Sequence, residues 1–170
     1  MKSILFFVAI SFCISSKVYS QAWINFDSPE GKFSISLPKQ PKIHKDSGAN
    51  YKATVFVAEN FGTQFGIGWT DYDKSVKLDV QKELEADRDN FIKGVKAVLV
   101  KSSNSNYRGD KCIDFTARSG SVFFTSMVFH ANGRYYQLFT KTFADEDDKD
   151  EDAGAADEMK FYNSLVLKKN

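Results

Sequence analysis

After residue 20, apolar and polar positions alternate along the chain in a way that predicts a sheet. Residues 23–27 read as a first strand, stopped by Ser28-Pro29-Glu30-Gly31. Across 32–37, Phe33, Ile35 and Leu37 fall on one face and Lys32, Ser34 and Ser36 on the other, the period of a half-buried strand. Pro38 and Pro41 then argue against continued pairing, because proline cannot donate to a ladder. Residues 51–59 form a longer strand, and Asn60-Phe61-Gly62-Thr63 turns it back into 64–70. There Phe65, Ile67 and Trp69 share one face, while Gly66 and Gly68 share the other. Two positions without side chains let another group approach the backbone. A packed helix is the ordinary occupant, and a ligand groove is the alternative.

Residues 76–95 predict the one long helix. Val76, Val80, Leu84, Phe91 and Val95 recur at helical spacing, and Asp87 interrupts their stripe. The charged middle (Glu83, Glu85, Asp87, Arg88, Asp89) suits a helix lying on a sheet with one face wet. Residues 97–101 read as a strand, 102–106 as a polar turn, and 111–118 as a strand with Ile113, Phe115 and Ala117 inward. The clearest local signal is Asn132-Gly133 between 122–131 and 134–143, a two-residue hairpin turn in which both positions tolerate positive φ. That turn sets Ala131 opposite Arg134, Phe129 opposite Tyr136, Met127 opposite Leu138 and Thr125 opposite Thr140. Large apolar groups on both faces of this hairpin place it centrally in the sheet. Residues 145–152 are almost wholly acidic and read as a solvated loop before a short helix at 159–164 and a last strand at 165–168.

The first 20 residues carry a different pattern. Lys2 leads, an apolar run from 4 to 14 follows, and Val18 and Ser20 suit the positions before a cleavage site. These are the parts of a secretory signal, and the run is well short of the ~20 residues a membrane-crossing helix needs. The expected cut falls between Ser20 and Gln21, leaving residues 21–170 as one secreted or periplasmic domain without a membrane span. Cys13 raises lipid attachment, but the bulky Phe12 stands where a small residue is required.

Loss of Lys2 and Lys17 with the leader turns 23 basic against 22 acidic side chains into 21 against 22. Such a balance excludes a general nucleic-acid binder, which needs a basic excess. About 150 residues suffice for one core. Only Cys112 remains among the cysteines, so no internal disulfide forms. It reads as a small half-buried strand residue, with a reactive thiol as the alternative.

No catalytic constellation stands out. Gly66-Ile67-Gly68 lies within a strand and lacks a third glycine, so a dinucleotide site is excluded. His44 and His130, the two histidines, lack metal-ligand spacing to each other, to Cys112 or to a carboxylate cluster. The aspartates at 145, 147, 148, 150 and 152 could attract calcium, but they lack the glycine and closing glutamate of the known loop. No cofactor and no enzymatic activity are expected.

The stretch Phe26-Asp27-Ser28-Pro29-Glu30-Gly31-Lys32-Phe33-Ser34-Ile35-Ser36-Leu37-Pro38 resembles the opening of small exported bacterial proteins of the PsbP-like superfamily. Tyr107-Arg108-Gly109 leading to Asp114-Phe115, Asn132 to Leu138, and Lys160 to Ser164 extend the resemblance over most of the chain. It implies an α+β fold: a twisted, mainly antiparallel sheet flanked by helices, an α/β/α sandwich. It also implies an accessory or binding role, since members include an extrinsic photosystem subunit and a Ran GTPase binder. A non-enzymatic exported binding domain is therefore expected, with an unknown protein partner. The alternative is a carrier seating a small apolar ligand between the sheet and the long helix near Gly66 and Gly68.

Overall fold

The computed structural model describes residues 22–143 and 151–168, with side chains in the second segment from 154 onward. The leader, its cleavage site, Cys13 and the carboxylates proposed for calcium lie outside the described residues or side chains.

Strands β1 (Ile24–Ser28) and β2 (Phe33–Leu37) pair with the short β10 (Val166–Leu167) in a three-stranded sheet. The remaining strands are β3 (Lys42–Ser47), β4 (Tyr51–Asn60), β5 (Thr63–Tyr72), β6 (Val98–Tyr107), β7 (Asp110–Ser119), β8 (Val122–Ala131) and β9 (Arg134–Phe143). They form one sheet in the order β3-β4-β5-β9-β8-β7-β6, with every pairing antiparallel. Two helices complete the fold, α1 (Val80–Gly94) and α2 (Glu151–Asn163).

The Asn132-Gly133 hairpin has the expected register, and β9 is the fourth of the seven strands. Asn132 and Gly133 both have positive φ. The same geometry recurs at Arg108-Gly109 and at Phe61-Gly62, where a phenylalanine takes the left-handed position.

Directly paired residues share a face, so rows can be read across the large sheet. One row runs His44, Val55, Gly68, Gln137, Val128, Ile113, Asn104. Val128 and Ile113 are buried in a cluster with Leu84 of α1, and Phe91 packs against it. Val55, three strands from Val128 in the same row, is only half-buried. A row on the opposite face reads Thr54, Trp69, Tyr136, Phe129, Cys112, and all five are buried. The small sheet and α2 cover that face: Phe33 meets Trp69 at 6.1 Å between ring centroids, and Phe161 meets Phe65 at 5.5 Å. The Tyr136 hydroxyl donates to the Gly31 carbonyl at 3.1 Å, tying the two sheets together.

The sandwich expectation is therefore corrected. The fold is sheet-dominated; one face carries α1, and the other carries a second sheet together with α2. Further differences have local causes. The helix expected at 76–95 starts only at Val80, because the Asp79 side chain accepts from the Gln81 and Lys82 amides and caps it there. Residues 102–106, expected as a turn, continue β6, which is an edge strand with a bulge between Leu99 and Lys101. β3, unexpected after Pro41, is the other edge and is exposed along its whole length. Edge strands with wet faces carry no apolar alternation for a sequence reading to detect. The last helix, expected at 159–164, already includes residue 151.

Gly66 faces Phe139 in the ladder, and the Phe139 ring occupies the space that a Cβ would fill, 2.2 Å from its built position. The group that approaches this glycine is thus a ring of the sheet itself. Phe91 of α1 packs beyond it, its ring tilted against Phe139 at 5.5 Å between centroids. Gly66→Ala should destabilise the fold by about 1–3 kcal/mol through overpacking. Gly154, inside α2 with open space around it, should give the opposite sign, with Gly154→Ala gaining up to about 1 kcal/mol. Urea unfolding of the two variants checks the pair of signs.

Candidate functional site

Where α1 stops covering its face of the sheet, a cleft of about 320 Å³ opens. Ala53, Val55 and Gly68 form its floor, with Phe91 of α1 and Phe139 and Tyr135 of β9 as aromatic walls. At Gly68 the neighbouring strand leaves no room for a side chain. A Cβ there would stand 2.8 Å from the Thr54 carbonyl oxygen. Polar groups also line the cleft. Asp46 reaches it from β3, Asp87 and Asn90 from α1, and Gln137 from β9.

Asp87 belongs to an acidic stripe. Asp79, Glu83 and Asp87 follow at intervals of four residues, so they lie on one side of α1. That side faces two tyrosines of the sheet, Tyr72 and Tyr135, whose rings meet edge to face at 5.5 Å. The Tyr72 hydroxyl donates to the Glu83 carboxylate. Burial, reinforced by the Glu83 charge, pushes the Asp87 carboxyl up to about 7. Burial and the neighbouring carboxylates push Tyr135 up to about 12 and raise Tyr72 as well. His130 sits 4.8 Å from the Tyr135 ring, and burial lowers its pKa.

The other residues singled out from sequence do not converge. Cys112 and His130 point to opposite faces of the sheet, since Cys112 pairs with Phe129, the neighbour of His130. Cys112 is buried, and desolvation pushes its thiol up to about 12, far from a nucleophilic thiolate. His44 stands exposed on edge strand β3. Among the described residues, no three His, Cys, Asp or Glu side chains gather in a way that could hold a metal. Asp87 was visible in the sequence only as the break in the apolar stripe of α1.

A second cleft of about 370 Å³ lies on the opposite face, between β6, β7, β8 and Tyr162 of α2. The Tyr162 hydroxyl there donates to the Thr125 carbonyl at 2.8 Å, and the Asp114 carboxylate receives the Cys112 thiol at 3.8 Å. The α1 cleft differs in holding a carboxyl with no hydrogen bond or ion pair among the described residues. It is the candidate site.

The architecture is that of the PsbP-like fold, a broad antiparallel sheet with β1 and β2 folded onto one face. The solution structure of cyanobacterial PsbP from Synechocystis is similar over 89% of this chain and 95% of its own, with a TM-score of 0.58 and 12% identity. A Pseudomonas aeruginosa protein of unknown function aligns over 87% of this chain and 99% of its own, with a TM-score of 0.43 and 15% identity. At such identity the PsbP likeness shows the fold alone. No family model and no curated protein matches the chain.

The Asp87 environment has a consequence for stability. An unfolded aspartate ionises near pH 4, whereas the folded one holds its proton to about 7. The folded state binds the extra proton, so stability should fall as pH rises from about 4 to 7, by roughly 2–4 kcal/mol. Asp87→Asn should remove most of that slope and be the more stable protein above pH 7. Urea midpoints measured from pH 4 to 8 for both proteins check this; parallel curves would contradict it.

Proposed function

We propose that the chain is an exported, non-enzymatic binding domain that seats a small ligand in the cleft between α1 and the sheet. The observation that carries this reading is the half-covered sheet face at Gly68, with aromatic walls, an unpaired carboxyl and a volume of about 320 Å³. Ligand sites are typically concavities of at least ~300 Å³ in which apolar walls surround a few polar groups. Export rests on the leader pattern of residues 1–20. No helix among the described residues is long and apolar enough to cross a membrane. The PsbP-like fold supports an accessory or binding role by analogy. The mixed lining narrows the ligand from a purely apolar molecule to one with an apolar body and a polar group.

Native mass spectrometry of the protein purified from its own organism tests this. A non-covalent adduct of small-molecule mass is expected, and Ala53→Trp, which fills the floor, should lose it. The bare mass under several growth conditions would overturn the reading. The N-terminal residue seen in the same spectra should be Gln21.

A protein-docking role is the second reading, favoured by Phe61. This side chain is 91% exposed at the tip of the β4–β5 hairpin, with a φ of 44°. A phenylalanine in the left-handed region is strained, and its exposure gains nothing within the chain. Phe61→Gly should raise stability by about 1 kcal/mol. If Phe61 docks a partner, the same change should remove that partner from cross-links formed in intact cells.

A further inference from the structure

We propose that the α1 cleft takes a small organic cation, an ammonium group carried on an apolar or aromatic body. The inference rests on the reading of this cleft as the binding site and names the ligand class. Two carboxyl groups reach the cleft from different elements, Asp46 from edge strand β3 and Asp87 from α1. No lysine, arginine or histidine lines it, and the other polar groups, such as Asn90, Gln137 and Thr70, are neutral. An anion would meet carboxylates with no compensating cation. A wholly apolar guest would bury the carboxyls without partners. An ammonium supplies three donors and the matching charge. Phe91, Phe139 and Tyr135 line the cleft and bring aromatic groups, which attract cations, and apolar area for the ligand's body.

The two carboxyls are free to accept. Asp46 receives one hydrogen bond, from the Tyr51 hydroxyl to Oδ2 at 2.9 Å, which leaves Oδ1 open. Asp87 has no hydrogen-bond or ion-pair partner among the described residues. The nearby cation does not neutralise it: Arg88 is turned away, donating to Asp89 Oδ1 at 2.8 Å and to Ser102 Oγ at 3.2 Å. The charged or titratable groups around Asp87 are Glu83 on its own helix, Tyr72 on β5 and Tyr135 on β9, with Asp46 across the cleft and His130 behind Tyr135. All but His130 are acidic or weakly acidic, and burial lowers the pKa of the histidine. A bound cation offsets the burial and repulsion that keep Asp87 protonated, so the carboxyl ionises in the complex. Below pH 7, binding is therefore coupled to release of a proton.

Isothermal titration calorimetry of the full chain tests this with three probes of matched shape: phenethylamine, 2-phenylethanol and 3-phenylpropionate. The amine should bind at least tenfold tighter than the alcohol, and the acid should give no binding. At pH 6 the amine's binding heat should vary with the ionisation enthalpy of the buffer, showing release of up to one proton, and at pH 8 that dependence should vanish. Asp87→Asn should weaken the amine about tenfold and abolish proton release. Asp46→Asn should weaken the amine while keeping proton release. Equal binding of amine and alcohol would overturn the cation and leave the cleft as a ligand site. Absence of amine binding at millimolar concentration would overturn the cation too, and the adduct sought by native mass spectrometry would then decide the cleft separately.

Discussion

The β8–β9 hairpin is loaded with large apolar side chains on both faces, and the rest of the architecture answers to that constraint. Phe129, Tyr136 and Leu138 point one way, and Phe124, Val128 and Tyr135 the other. Both faces of the strands around it must be kept from water. One face is covered, apart from the cleft beside Tyr162, by a small sheet and α2, which meet it through interlocking rings. The other has α1 alone among the described residues. Seven strands at ~4.8 Å spacing span roughly 30 Å. A helix of 15 residues is about 22 Å long and only ~10 Å wide. It cannot cover such a face, and it settles over β7 and β8, where the apolar load is greatest. The cleft at Gly68 is what remains.

Phe91 sets where the covered half ends. Its ring meets Phe115, Phe124 and Phe139 at centroid distances of 5.7, 5.8 and 5.5 Å, contacts in the range where aromatic pairs attract. Phe139 can lie flat enough to receive it only because Gly66 beneath has no side chain. The next turn of the helix toward its N-terminus carries Asp87 in place of an apolar residue, so the stripe that seals one half of the face opens onto a carboxyl at the other. Packing and site chemistry thus share the same few residues.

Much of this was legible in the sequence, and the failures share a cause. Central strands between two apolar layers carry their pattern in full, so β8 and β9 could be placed to the residue and their register read from Asn132-Gly133. The paired glycines marked the right face, although the group packed against Gly66 is a ring of the sheet and Gly68 lines the cleft while itself packed against Thr54 and Val55. The edge strands β3 and β6 were invisible or cut short because neither buries a face. The second sheet was hidden as a layer, since β1 and β2 look the same in sequence whether they extend the large sheet or fold over it. The site itself was half legible: the break at Asp87 could be seen, but its meeting with Tyr72, Tyr135 and Asp46 joins residues far apart in the chain.

The central claim is that α1 covers only part of its sheet face. Solvent paramagnetic relaxation of methyl protons measures this directly, using residues of the two face-sharing rows. Ala53 and Val55 should relax strongly with a soluble paramagnetic agent, while Val128 and Ile113 should be protected. Equal protection of all four would mean that the face is closed and that there is no cleft at Gly68.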